Sequence, residues 1–105
     1  MAILNTFLST TNSTTVFTAN AECAVTVVYL CNHSGGDASV NVYCISDDGS
    51  TGASTDNIIY SDLSITSNDT YVISTEKLVL DIGDYLQVEA NVANAVTVTV
   101  STMSI

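Results

Sequence analysis

Proline and tryptophan are absent from this 105-residue chain, and basic residues nearly so. Lys77 is the single cation beside eleven aspartates and glutamates, for a net charge of −10. Binding a nucleic acid by counterion release needs several lysines or arginines at phosphates, and a polybasic membrane patch needs the same. Neither nucleic acid nor membrane is an expected partner. The acid excess reads as a solvated, self-repelling surface, and like charges would also space identical copies on a crowded assembly. Charged residues make up only 11% of the chain, against roughly 25% in an ordinary soluble domain. Solubility is therefore left to Ser, Thr and Asn.

Catalytic residue types are scarce too. His33 is the only histidine and stands in the glycine-rich stretch Asn32-His33-Ser34-Gly35-Gly36-Asp37, where an exposed loop position is expected. A nucleophile needs a base beside it, and no GxSxG, P-loop or GxGxxG motif is present. An enzyme is not expected. The carboxylates Asp47, Asp48 and Asp56 flank one polar loop, and Asp81 and Asp84 flank a turn. Two carboxylates across a cleft would serve glycoside hydrolysis, but the aromatic platform a tryptophan supplies is missing. Calcium takes loop oxygens of this kind, yet Asp47-Asp48-Gly49 lacks the alternating EF-hand spacing. Ordinary turn chemistry accounts for these acids, and no cofactor is expected beyond that calcium alternative.

The three cysteines, Cys23, Cys31 and Cys44, read as free, small hydrophobes. Cys23 and Cys31 lie on one expected strand about 26 Å apart, beyond disulfide reach. Zinc needs closer ligands than one histidine and three scattered cysteines provide. No charged n-region or uninterrupted apolar stretch marks a signal peptide at Met1-Ala2-Ile3-Leu4-Asn5. The longest near-apolar run, Ala24 to Cys31, is too short to span a bilayer as a helix. The sequons at Asn12, Asn32 and Asn68 accordingly carry little meaning.

What remains is strand material. Hydrophobic residues make up 47%, enough for the core of one domain over residues 1–105. Valine, isoleucine and threonine abound, and no apolar period of 3.6 residues persists. Strand runs are expected at Ile3–Ser9, Thr14–Thr18, Cys23–Asn32, Ala38–Ser46, Asn57–Tyr60, Leu63–Thr66, Thr70–Ser74, Lys77–Leu80, Tyr85–Asn91 and Ala95–Ser101. Cys23–Asn32 is apolar on both faces, as in a central strand. Gly35 and Gly36 supply positive φ, so a hairpin is expected to join that strand to the next. The polar stretch 47–56 is expected to be a mobile loop, and Gly83 is expected in the left-handed region. The spacing of turns indicates an all-β, antiparallel two-sheet sandwich of about eight strands, immunoglobulin-like or jelly-roll-like.

The termini break the pattern. Apolar residues fall at even positions through Val96, Val98 and Val100, then at odd ones, Met103 and Ile105. A shift of one residue turns side chains to the opposite face. Either a bulge sits near Ser101, or the last residues leave the domain and pack elsewhere. Ile3-Leu4 and Phe7-Leu8 likewise place apolar groups on both faces. The residues expected to contact neighbouring subunits are Ile3, Leu4, Phe7, Met103 and Ile105. The tyrosines Tyr29, Tyr43, Tyr60, Tyr71 and Tyr85 are expected in core packing with rim hydroxyls, unless one exposed face collects them.

Three stretches carry a resemblance. They are Ser67-Asn68-Asp69-Thr70, then Lys77-Leu78-Val79-Leu80-Asp81-Ile82-Gly83-Asp84-Tyr85-Leu86-Gln87-Val88, then the closing valine-threonine strand. With Val28-Tyr29-Leu30-Cys31-Asn32 and Ser34-Gly35-Gly36 upstream, the chain from Ala24 to Ile105 resembles small virion proteins of tailed bacteriophages. Members typically end on an alternating strand and a short apolar tail. The resemblance implies an immunoglobulin-like or related sandwich used as a repeated structural block at the phage particle surface, made in the host cytoplasm. It implies the major capsid protein or other virion proteins as partners, and a homo-oligomer. The expected role is a capsid decoration (cement) protein. A neck or tail component, such as a collar, fibre or tail-tip subunit, is one alternative, and a carbohydrate-binding module is another.

Overall fold

The computed structural model describes residues 2–47, 52–74 and 77–104. Nine strands and no helix are found among them: β1 (Ala2–Phe7), β2 (Thr14–Thr18), β3 (Cys23–Asn32), β4 (Ala38–Ile45), β5 (Ile58–Ile65), β6 (Asp69–Ile73), β7 (Leu78–Leu80), β8 (Tyr85–Ala90) and β9 (Val96–Ser104). They form two antiparallel sheets. Sheet A runs β1-β9-β3-β6 with β7 also against β3, and sheet B runs β2-β8-β4-β5. The partner of β6 is Val28–Asn32, that of β7 is Cys23–Val25. The two short strands thus make one interrupted edge strand. On that reading each sheet has four strands, and their order is that of a jelly roll. Of the two sandwich types expected, the jelly roll is the one found.

Several local expectations need correction. No hairpin joins β3 to β4, which lie in opposite sheets. Gly35 and Gly36 have no positive φ, whereas Gly83 does, at 91°. The crossing after β3 is held instead by Asn32, whose side chain is fully buried. Its Nδ2 donates to the carbonyls of Gly36 and Ile65, both at 2.9 Å, and its Oδ1 accepts from Ser34 N at 3.1 Å and Ser34 Oγ at 2.8 Å. One amide therefore ties sheet A to the end of β5 in sheet B. The expected runs Asn57–Tyr60 and Leu63–Thr66 fuse into β5. Its pairing with β4 slips twice, each time with an extra residue on β5. Asp62 takes a positive φ of 57° at one slip, and Asn41 Oδ1 accepts its N–H at 2.8 Å. The expected mobile loop, 47–56, lies partly outside the described residues.

The parity question at the C-terminus has a specific answer. Strand β9 keeps its alternation: Val96, Val98, Val100 and Thr102 are buried and the odd residues face out. The bulge sits opposite Ser101, in β3, where Thr26 is the extra residue between the pairs Val25↔Thr102 and Val27↔Ser101. Thr26 Oγ1 closes the gap by donating to Ser101 O at 3.1 Å. Across the bulge the buried set of β3 switches from Val25 to Val28, Leu30 and Asn32. Alternation therefore does not run unbroken along β3. Burying each of the β9 valines contributes about 1.5–3 kcal/mol, which sets the register of the central strand pair.

Candidate docking face

The outward side of sheet A is built by register. Its first row is Phe7, Thr97, Cys31 and Thr70, taken across β1, β9, β3 and β6. The second is Asn5, Thr99, Tyr29 and Val72. The third holds Ile3, Ser101 and Val27, and the fourth Met103, Ala24 and Val79. No member of these rows carries a charge, in a chain whose net charge is −10. Large apolar side chains stand exposed on it, among them Ile3 (69%), Val79 (66%), Phe7 (47%), Val72 and Met103 (both 46%). Phe7 stacks on His33 with ring centroids 5.4 Å apart, and Thr99 Oγ1 donates to Asn5 Oδ1 at 2.9 Å. Lys77 sits where β7 begins and folds back onto the carbonyl of Ser74 at 2.9 Å. Single exposed apolar residues are normal on a protein surface; here several of them share one uncharged face with serines and threonines, which makes it the candidate contact surface.

Three of the expected contact residues, Ile3, Phe7 and Met103, lie on this face. Leu4 does not: it pairs with Val100 on the inner side of β1. There it lines, with Phe17, Glu22 and Thr102, a groove of about 320 Å³ at the open side of the sandwich. Ile105 lies outside the described residues. Tyr29, Val72 and Val79 belong to the face and were missed. Their neighbours in sequence are as apolar as they are, so alternation alone does not say which member of each pair turns outward.

The outward side of sheet B is different. Glu89 Oε1 accepts from Asn41 Nδ2 and from the Tyr43 hydroxyl, each at 3.0 Å. Glu89 and Asn41, with Thr11, Ser39, Asp62 and Asn91, surround a polar depression of about 250 Å³. Tyr43 is itself buried. Burial, more than the Glu89 hydrogen bond and charge, pushes its phenol above the ordinary 10.0. Tyrosines do not collect on one face: Tyr29 and Tyr71 are exposed, and Tyr60 packs against the core.

The acidic turn uses its carboxylates locally. Asp84 Oδ1 accepts from Asp47 N and Oδ2 from Asp81 N, both at 3.0 Å, and Asp81 Oδ1 accepts from Ile82 N at 3.0 Å. Among the described residues no group of three or more His, Cys, Asp or Glu is arranged to hold a metal ion. Asp48, one of the carboxylates weighed for calcium, lies outside them. Cys23, Cys31 and Cys44 are free. His33 is exposed, as expected for it, and its ring meets Phe7.

Fold and face together define a jelly-roll β-sandwich with one uncharged, apolar outer face. No protein-family model, no curated protein and no solved structure matches the chain.

Proposed function

We propose that this chain is a virion structural protein of a tailed bacteriophage that works by contact, as a capsid decoration protein docking on the major capsid protein. The observation that carries the contact reading is the uncharged outer face of sheet A. Burying apolar side chains against a partner is favourable, and this face does so without desolvating a single carboxylate. Among the described residues the acids stand on the loops, on sheet B and, as Asp69, at the start of β6, outside the rows of this face, where they remain hydrated and keep neighbouring particles apart. Jelly rolls build viral shells as well as lectins, and the fold alone chooses neither. The placement on a phage particle rests on the sequence resemblance from Ala24 to Ile105.

The test is reconstitution. Capsids assembled without this chain are incubated with the purified protein, and bound copies are counted per particle. Saturation at the stoichiometry of the capsomers is the expected result. Binding confined to one ring of copies would move the protein to the neck or tail. No binding to capsid, neck or tail would overturn the reading.

A further inference from the structure

Strand β1 is an open edge of sheet A, and it differs from the other edges. β2 carries a bulge at Val16, β5 carries two extra residues and Asp62, and the β6–β7 edge is interrupted and opens on Asp69. Natural edges are blunted by such bulges and charges. β1 has neither: Ala2–Phe7 pairs with β9 in unbroken register and contains no charged residue.

The direction of its free backbone groups follows from the two main-chain bonds of Leu8. Leu8 N donates to Val96 O at 2.9 Å, and Leu8 O accepts from Asn94 N at 3.0 Å. Main-chain groups of alternate residues point to the same side of an antiparallel strand. Thr6 and Leu4 therefore address β9, as Leu8 does, while Phe7, Asn5 and Ile3 direct N–H and C=O outward. Their side chains lie on the uncharged outer face.

From this we infer that β1 is a self-complementary edge, which pairs antiparallel with β1 of a second copy about a two-fold axis through Asn5. In this register Ile3 meets the second copy's Phe7, Asn5 meets Asn5, and Leu4 meets Thr6. Only a register that opposes outward-pointing residues makes bonds, and this one uses all three, for six main-chain hydrogen bonds. It also sets each exposed Ile3 beside an exposed aromatic ring on the same face, a favourable cross-strand pair. A second copy suits this edge because two chains that repel through their acids meet here without opposing charges. Pairing fuses the two outer faces into one. A single face measures roughly 20 by 27 Å, on the order of 500 Å², below the ~800 Å² per partner of a standard interface. The doubled face exceeds it.

The inference needs only the purified chain, so it stands or falls apart from any role on a virion. Sedimentation equilibrium over a concentration series is expected to show a monomer–dimer equilibrium. Asn5→Pro removes the central outward N–H, which β9 does not use, and is expected to weaken the dimer on the order of tenfold or more. Its melting curve checks that the monomer still folds. Asn5→Asp leaves the backbone intact and opposes two carboxylates on the axis, and it is expected to weaken the dimer in the same way. A Leu4→Cys, Thr6→Cys double variant is expected to form a disulfide-linked dimer mapped between positions 4 and 6 of different copies. A wild-type chain that stays monomeric throughout, or folded Asn5 variants that dimerise as the wild type does, would overturn the self-pairing.

Discussion

The outer faces of the two sheets are both built from alternate residues of antiparallel strands, yet they differ in kind. On sheet A, serines and threonines lie between exposed apolar side chains, and no charge is present. On sheet B, Asn41, Tyr43 and Glu89 bind one another, and Gln87 Nε2 donates to Thr15 Oγ1 at 2.9 Å. Polar groups on sheet B are satisfied within the chain, which leaves that face content in water. Sheet A leaves apolar area uncovered. The lesson is that alternation fixes which residues face out, while the company each keeps decides whether the face is a finished surface or a waiting one.

The two faces stay distinct only while the sheets are joined, and Asn32 is the place to break them. Asn32→Leu fills a similar volume but strands the carbonyl of Ile65 and the N–H of Ser34, while the Gly36 carbonyl keeps the Ser34 hydroxyl at 2.9 Å. A loss of about 2–4 kcal/mol is expected, read as a lower midpoint in urea unfolding. Gly83→Ala comes next. Its φ is positive, and an added Cβ would stand 2.7 Å from Asp47 Cγ. The expected cost is about 1–3 kcal/mol, with Gly83→Ser no better tolerated.

A charge placed on each face sharpens the comparison directly. Val72→Asp on sheet A and Gln87→Glu on sheet B should each change stability by no more than about 0.5 kcal/mol. Only Val72→Asp is expected to abolish capsid binding in the reconstitution assay. Equal effects from both would remove the distinction between the faces.

The smallest effect is alkaline. Tyr43 is raised above 10.0, by burial first and then by Glu89, and Cys44 is raised above 9.0, by burial first and then by the Asp84 charge. Both groups hold their protons more tightly folded than unfolded. Their contribution is intact below pH 9 and is lost as pH rises through the folded values. Unfolding midpoints measured from pH 8 upward should therefore fall. Glu89→Gln keeps an acceptor for the Tyr43 hydroxyl but removes the charge. Phenolate absorbance should then show Tyr43 titrating closer to 10.0.

Much of the architecture was legible from residue order. Cys23–Asn32 reads as a central strand because it is apolar on both faces, and β3 does lie inside sheet A, between β9 and the β6–β7 edge. Gly83 sits where a left-handed turn was expected, and the acids around it do turn work. The crossing from β3 to the opposite sheet was not legible. Gly-Gly between two apolar runs describes a reversal of the chain, but not whether the second run lands beside the first or across the sandwich. Thr26 was equally silent, since a threonine in a strand looks alike whether paired or bulged. Of the docking face, Ile3, Phe7 and Met103 stood out because they broke parity at the termini. Tyr29, Val72 and Val79 sit inside apolar runs and gave no such sign.

By itself, then, the sequence determined an all-β domain with an acidic surface, a valine-rich core and no basic footing for nucleic acid, because composition and period act locally. The tertiary structure alone decided the jelly-roll order, the bulge that keeps β9 in phase, and the gathering of uncharged rows from β1, β9, β3, β6 and β7 on one side. Those depend on pairings between residues as far apart as Ile3 and Ser101, and no local pattern encodes which distant strand will be the neighbour.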